Sequence, residues 1–117
     1  MSALSKSNIV SDLSIEKHFY AVVQQLVKDF KENVFEERVN AMSTDQIDEL
    51  LQEVSLFLSS VCSRSIEEFS QLMYVIDMPE IILRPFLSDG QRGWEEFTYQ
   101  VIKREYLKVL IRERYST

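Results

Sequence analysis

Both glycines and both prolines of this 117-residue chain lie between Pro79 and Gly93. Elsewhere the backbone is built from residues that neither break a helix nor seek a positive φ. An all-β domain needs a turn roughly every 8–12 residues, and turns draw heavily on Gly and Pro. With those residues confined to one stretch, the chain is expected to be helical on both sides of a single irregular connector. Its length suits one domain, since domains run to roughly 100–200 residues. Hydrophobic residues at 45% and charged residues at 27% fit a packed core, not a disordered chain.

Hydrophobic spacing supports the same class. Residues 1–12 are polar and serine-rich, and they read as a flexible tail before one helical domain over 13–117. Ile15, Phe19, Val22, Val23, Leu26, Val27 and Phe30 share one arc at 100° per residue, which predicts an amphipathic helix over 13–32. Ser11 or Asp12 could cap it. Phe35, Val39 and Met42 give a short second helix. Ser43 and Gln46 have capping-box spacing, with Thr44 as a rival cap. They introduce a third helix over 44–62 whose core side is Leu50, Val54, Phe57, Leu58 and Val61.

Ser65 and Glu68 repeat the capping-box spacing before the stripe Ile66, Phe69, Met73 and Ile76. Asp77 reads as the cap of a short helix that Pro85 should end at Arg84. Ser88-Asp89-Gly90 reads as a turn or a helix C-cap. A last helix over 94–114 carries apolar residues on most sides, as a helix surrounded by neighbours does. The expected fold is therefore all-α: an irregular bundle of four long helices plus one or two short ones.

Charge and motif content exclude several activities. Thirteen basic residues stand against 19 acidic ones, a net −6, so the chain has no general attraction for nucleic acid or an anionic membrane. The exception is 103–117, which holds five basic and two acidic residues, net +3. No apolar run reads as a signal peptide or a membrane span. That absence and the lone Cys62 suggest a cytoplasmic setting. A single Cys and a single His supply neither a disulfide framework, a zinc site nor a di-iron set. No phosphate-binding glycine loop and no G-x-S-x-G or H-E-x-x-H motif occurs. Neither a catalytic residue nor a metal or cofactor is therefore assigned.

Isolated features have plain structural explanations. The doublets Glu36-Glu37, Glu67-Glu68 and Glu95-Glu96 fall in first turns of predicted helices, where negative charge meets the helix dipole. His18 reads as a solvated surface residue. Cys62 lies near a helix C-terminus, the wrong end for an activated thiol.

One pattern calls for an explanation. Arg104, Lys108 and Arg112 stack at i, i+4, i+8, and each like-charged pair costs about 0.2–0.5 kcal/mol in an isolated helix. An acidic strip of the same spacing, Asp45, Glu49 and Glu53, could neutralise them internally. A partner protein or a nucleic-acid backbone are the other candidates. Tyr99, Tyr106, Leu110 and Tyr115 add apolar surface to the same helix, and tyrosine suits an interface.

Two segments carry a likeness. Gln71-Leu-Met-Tyr-Val-Ile-Asp-Met-Pro-Glu80, then Ile102-Lys-Arg-Glu-Tyr-Leu-Lys108 with Arg112, resemble a pattern in small uncharacterised all-α bacterial proteins. In that pattern a leucine-rich helix ends in an Ile-Asp turn and a charged terminal helix follows. The resemblance covers about 66–115 and implies a helical fold in a bacterial cytoplasm. It carries no function. The sequence favours a non-enzymatic protein-interaction module, possibly a homodimeric adaptor. The partner surface is expected on Tyr99, Tyr106, Leu110, Tyr115, Arg104, Lys108 and Arg112. A small-ligand-binding regulator or enzyme with a site between helices near 79–94 is the alternative, and a nucleic-acid-binding regulator is third.

Overall fold

Residues 6–115 are described by a computed structural model. Seven α-helices follow in order: α1 (Lys6–Leu13), α2 (Glu16–Phe30), α3 (Asn33–Asn40), α4 (Ile47–Arg64), α5 (Ile66–Ile76), α6 (Glu80–Ser88) and α7 (Trp94–Tyr115). A 3-10 turn, Thr44–Gln46, leads into α4, and no strand occurs among the described residues. Four helices are long and three are short, so the all-α bundle has one short helix more than the sequence led us to expect.

The extra helix is α1. Residues 6–12, whose polarity suggests a tail, are helical, and residues 1–5 lie outside the described residues. Leu13 anchors this helix by burying its side chain completely. The Ser14 hydroxyl then donates to the Ser11 carbonyl at 2.6 Å, and Ile15 turns extended as the N-cap of α2. Ile15 is consequently half exposed, not part of the inward stripe.

Capping chemistry sets the other boundaries. Ser43 and Gln46 form the expected capping box, with the Ser43 amide donating to Gln46 Oε1 at 3.0 Å. The Glu68 amide donates to Ser65 Oγ at 3.1 Å at the start of α5. Asp77, expected to begin a helix, ends one instead. Its φ is 66°, its amide donates to the Tyr74 carbonyl at 3.0 Å, and Met78 donates to the Met73 carbonyl at 2.9 Å. That pair of bonds is a Schellman closure, in which the left-handed residue satisfies carbonyls left over at a helix end. Pro79 then serves as the N-cap of α6.

Pro85 does not end α6, which runs on to Ser88. Both Pro85 and Ile81, whose carbonyl loses its helical donor there, lie on the exposed side, where water can replace the missing bond. Closure comes at Gly90, with φ 78°, through Gly90 to Leu87 at 3.2 Å and Gln91 to Phe86 at 3.0 Å. A second Schellman motif thus turns the chain toward α7.

Helix α7 packs against α2, α4 and α5 and is the centre of the bundle. It buries Phe97, Val101, Ile102, Tyr106 and Val109, which explains why its apolar residues ring the helix. Two aromatic clusters tie the helices together. Phe30, Phe35 and Phe57 join α2, α3 and α4, with Phe30 stacked on Phe57 at 4.5 Å. Phe69, Phe86, Trp94 and Phe97 join α5, α6 and α7, with Phe86 stacked on Phe97. The radius of gyration is 13.7 Å, close to the roughly 13 Å of a compact chain this long.

On α4, Leu50, Val54, Leu58 and Val61 are buried as expected, and Phe57 is half-buried beneath Phe30. Leu58→Ala should therefore lower the unfolding free energy by about 2–5 kcal/mol in urea denaturation. A loss under ~0.5 kcal/mol would mean that α4 turns a different side to the core.

Candidate functional site

The basic line on α7 faces inward. Lys108 Nζ donates to Asp29 Oδ2 of α2 at 2.7 Å and to the Val75 carbonyl of α5 at 2.8 Å, and it lies 3.4 Å from Glu105 Oε1. Arg104 bonds Asp77 Oδ2 at 2.9 Å. Arg112 donates to Gln25 Oε1, and Gln25 Nε2 donates to Asp29 Oδ1 at 3.2 Å. All three cations are thus engaged within the chain.

Internal pairing holds, but the partners lie on α2 and at the end of α5, not on the proposed strip of α4. There Glu53 pairs with Arg38 at 3.3 Å, while Asp45 and Glu49 join no cation among the described residues. Helix α7 meets α4 along a different side from its basic line. Sequence spacing fixed the line itself but not which neighbour it would meet.

Glu105 is the unusual member. Its side chain is fully buried, and neither oxygen has a hydrogen-bonding donor among the described residues. Burial, then the hydrogen bond and charge of Asp29, push its pKa up to about 9, against an opposing pull from Lys108. Glu105 is therefore a neutral acid at pH 7, able to donate its proton to Asp29. Burial also pushes Asp29 upward. Hydrogen bonds from Glu105, Lys108 and Gln25 outweigh that effect and hold it below the ordinary carboxylate value.

A second polar contact lies beside this network. Tyr106, offered as partner surface, is buried inside the monomer. Its hydroxyl donates to Asp12 Oδ2 at 2.8 Å and lies 3.2 Å from His18 Nδ1. Burial first, then Asp12 and Glu113, push the phenol upward, so it stays a neutral donor. His18 is accordingly half-buried against the Tyr106 ring edge, not solvated as its helical position suggested.

The remaining candidates are scattered. Leu110 is half-buried against the core, Tyr99 is half-buried, and Tyr115 is exposed near the end of α7. Cys62 is buried, and burial raises its thiol pKa, as expected of a structural cysteine. No group of three or more His, Cys, Asp or Glu side chains among the described residues could hold a metal ion. No helix among them is long and apolar enough to cross a membrane.

Two surface regions remain. One is a groove of about 650 Å³ between α4 and α7. The other is the outer face of α5 and α6, where Tyr74 is 88% and Ile81 82% exposed and Val75 is half exposed. Clefts of about 300 and 490 Å³ there share Glu80, Arg84 and Ser88 as walls. No family model, curated protein or solved structure matches this chain.

The Glu105 shift makes a signed prediction. Its folded pKa, about 9, lies above the ordinary 4.5. Its contribution is complete below pH 4.5 and declines as pH rises toward about 9, by up to about 1.4 kcal/mol per pH unit. Glu105→Gln keeps a neutral donor at Asp29 and should flatten this decline in urea denaturation. Parallel pH profiles for parent and variant would show that Glu105 is ionised in the fold.

Proposed function

We propose that this chain is a non-enzymatic helical interaction module that self-associates through α5 and α6. The observation that carries the reading is the exposure of Tyr74 on α5 and Ile81 on α6, each in the wall of a cleft that shares Glu80, Arg84 and Ser88 with the other's. Both are large, apolar and more than four-fifths exposed. Single exposed apolar residues are ordinary, but two of this size beside neighbouring clefts favour an interaction surface. Tyrosine fits such a surface through its apolar ring and polar tip.

Charge on the same face favours a second copy as the occupant. Glu80 and Arg84 are both exposed and lie one helical turn apart, at 3.5 Å from each other. In a two-fold contact each residue meets its counterpart's neighbour reciprocally. Antiparallel α6 helices would set Glu80 of each copy against Arg84 of the other, with Ile81 between them. The surface shifts from α7, where Tyr106 and the basic line are engaged within the chain, to α5–α6. That engagement also accounts for the charge pattern that motivated a nucleic-acid reading. The clefts at the connector are shallow and fit a protein surface better than an enclosed small molecule.

Light scattering across a concentration series tests this. The mass should rise from 13.8 toward 27.6 kDa, twice the chain mass. Ile81→Ser and Glu80→Arg should each weaken association, and the swap E80R/R84E should restore it relative to E80R alone. A mass that stays at one chain at every concentration, or a swap no better than the single change, would overturn the reading.

A further inference from the structure

A two-fold contact joins a surface to a copy of itself, so the surface must hold both a shape and its complement. The outer face of α5 and α6 holds both. Glu80, Arg84 and Ser88 stand one turn apart along α6 and form a ridge. Helical geometry puts Ile81 and Pro85 on one flank of that ridge and Leu83 and Leu87 on the other. Ile81 projects, more than four-fifths exposed. The opposite flank opens on a cleft of about 300 Å³ between α5 and α6. Met73, Met78 and Leu83 are buried in its walls, and Leu87 is half-buried there. The binding energy of an interface is concentrated in anchors that fill apolar recesses of this kind and exclude water from them.

The projection and the recess fall in register. Antiparallel α6 helices that set Glu80 against Arg84 of the other copy bring Ile81 level with that copy's Leu83, a wall of the recess. Tyr74 lines the recess itself and so belongs to its rim, whereas Ile81 stands across the ridge from it, beside Pro85. Methionine walls adapt readily to a branched aliphatic knob. An unrelated partner would need only the recess, and the complement on the same face favours a second copy as the occupant. We infer that Ile81 of each copy is the anchor of this contact and seats in the other copy's α5–α6 cleft, against Met73, Met78, Leu83 and Leu87, an assignment that rests on the self-association proposed above. Two identical anchors and two identical recesses then close the dimer, and the exposed Glu80 and Arg84 side chains fix its register.

Complementation between two full-length variants tests the assignment, with association read by light scattering. Ser70→Phe adds a ring at the cleft wall and blocks the recess while leaving Ile81 in place. Ile81→Ala removes the anchor and leaves the recess open. Each variant alone should associate about tenfold or more weakly than the parent, because both anchor contacts of the dimer are lost. An equimolar mixture should associate about threefold or more tightly than either variant alone, because the anchor of the S70F chain enters the open recess of the I81A chain. At the second contact of that mixed pair a blocked recess faces only an alanine, so nothing clashes. Leu87→Phe blocks the recess from α6 and takes the place of Ser70→Phe if circular dichroism shows the latter unfolded. A mixture no tighter than the variants alone, or either variant associating like the parent, overturns the assignment and leaves self-association standing. A parent that stays at the mass of one chain at every concentration overturns both.

Discussion

One lysine between two buried carboxylates fixes how α7 lies in this bundle. Apolar burial alone would let a helix with greasy residues on most sides rotate or slide, because hydrophobic packing has no direction. Lys108 removes that freedom. It reaches Asp29 on α2 and the Val75 carbonyl on α5 at once, and only one rotation of α7 permits both. Arg104 at Asp77 and Arg112 at Gln25 repeat the constraint one turn to either side. The cluster of Phe69, Phe86, Trp94 and Phe97 then packs at the N-terminal end of a helix whose register is already set.

Such a network is costly to bury, since charges leave water for a poorly polarisable interior. The cost is reduced in a specific way. Of the two carboxylates, only Asp29 remains charged at neutral pH, because burial and its neighbour keep Glu105 protonated. The interior then holds one anion, one cation and one neutral donor, in place of two anions competing for a single lysine. This arrangement depends on proximity between α2 and α7, so it exists only in the folded chain.

Much of this was legible in the sequence, and the limits are instructive. Helix periodicity and capping residues located six of the seven helices, because those signals are local. The gaps arose where tertiary context overrode a local rule. Polar α1 is held by fully buried Leu13, by Val10 against the core and by Asp12 at the Tyr106 hydroxyl, contacts that composition could not flag. Asp77 has the composition of an N-cap, yet it takes the left-handed closure of α5, where backbone bonds to Tyr74 and Met73 and the burial of Met78 set the turn. Glu105 did leave a trace: it stands one turn from both Val101 and Val109, on the buried side of α7. An acid inside an apolar stripe signals either a buried partner or a site. Its partner, Asp29, sits beside Leu26 and Phe30 in the same anomalous way. Pairing the two would have required knowing that α2 and α7 are neighbours, which no local signal states.

The central claim is that the Asp29–Lys108 contact positions α7. A double-mutant cycle on unfolding free energy, using Asp29→Asn, Lys108→Met and the pair, measures that contact most directly. The account predicts a coupling of about 1–3 kcal/mol, with the double variant less destabilised than the sum of the singles. Additivity within ~0.3–0.5 kcal/mol would contradict it, and would leave packing alone to hold α7 in place.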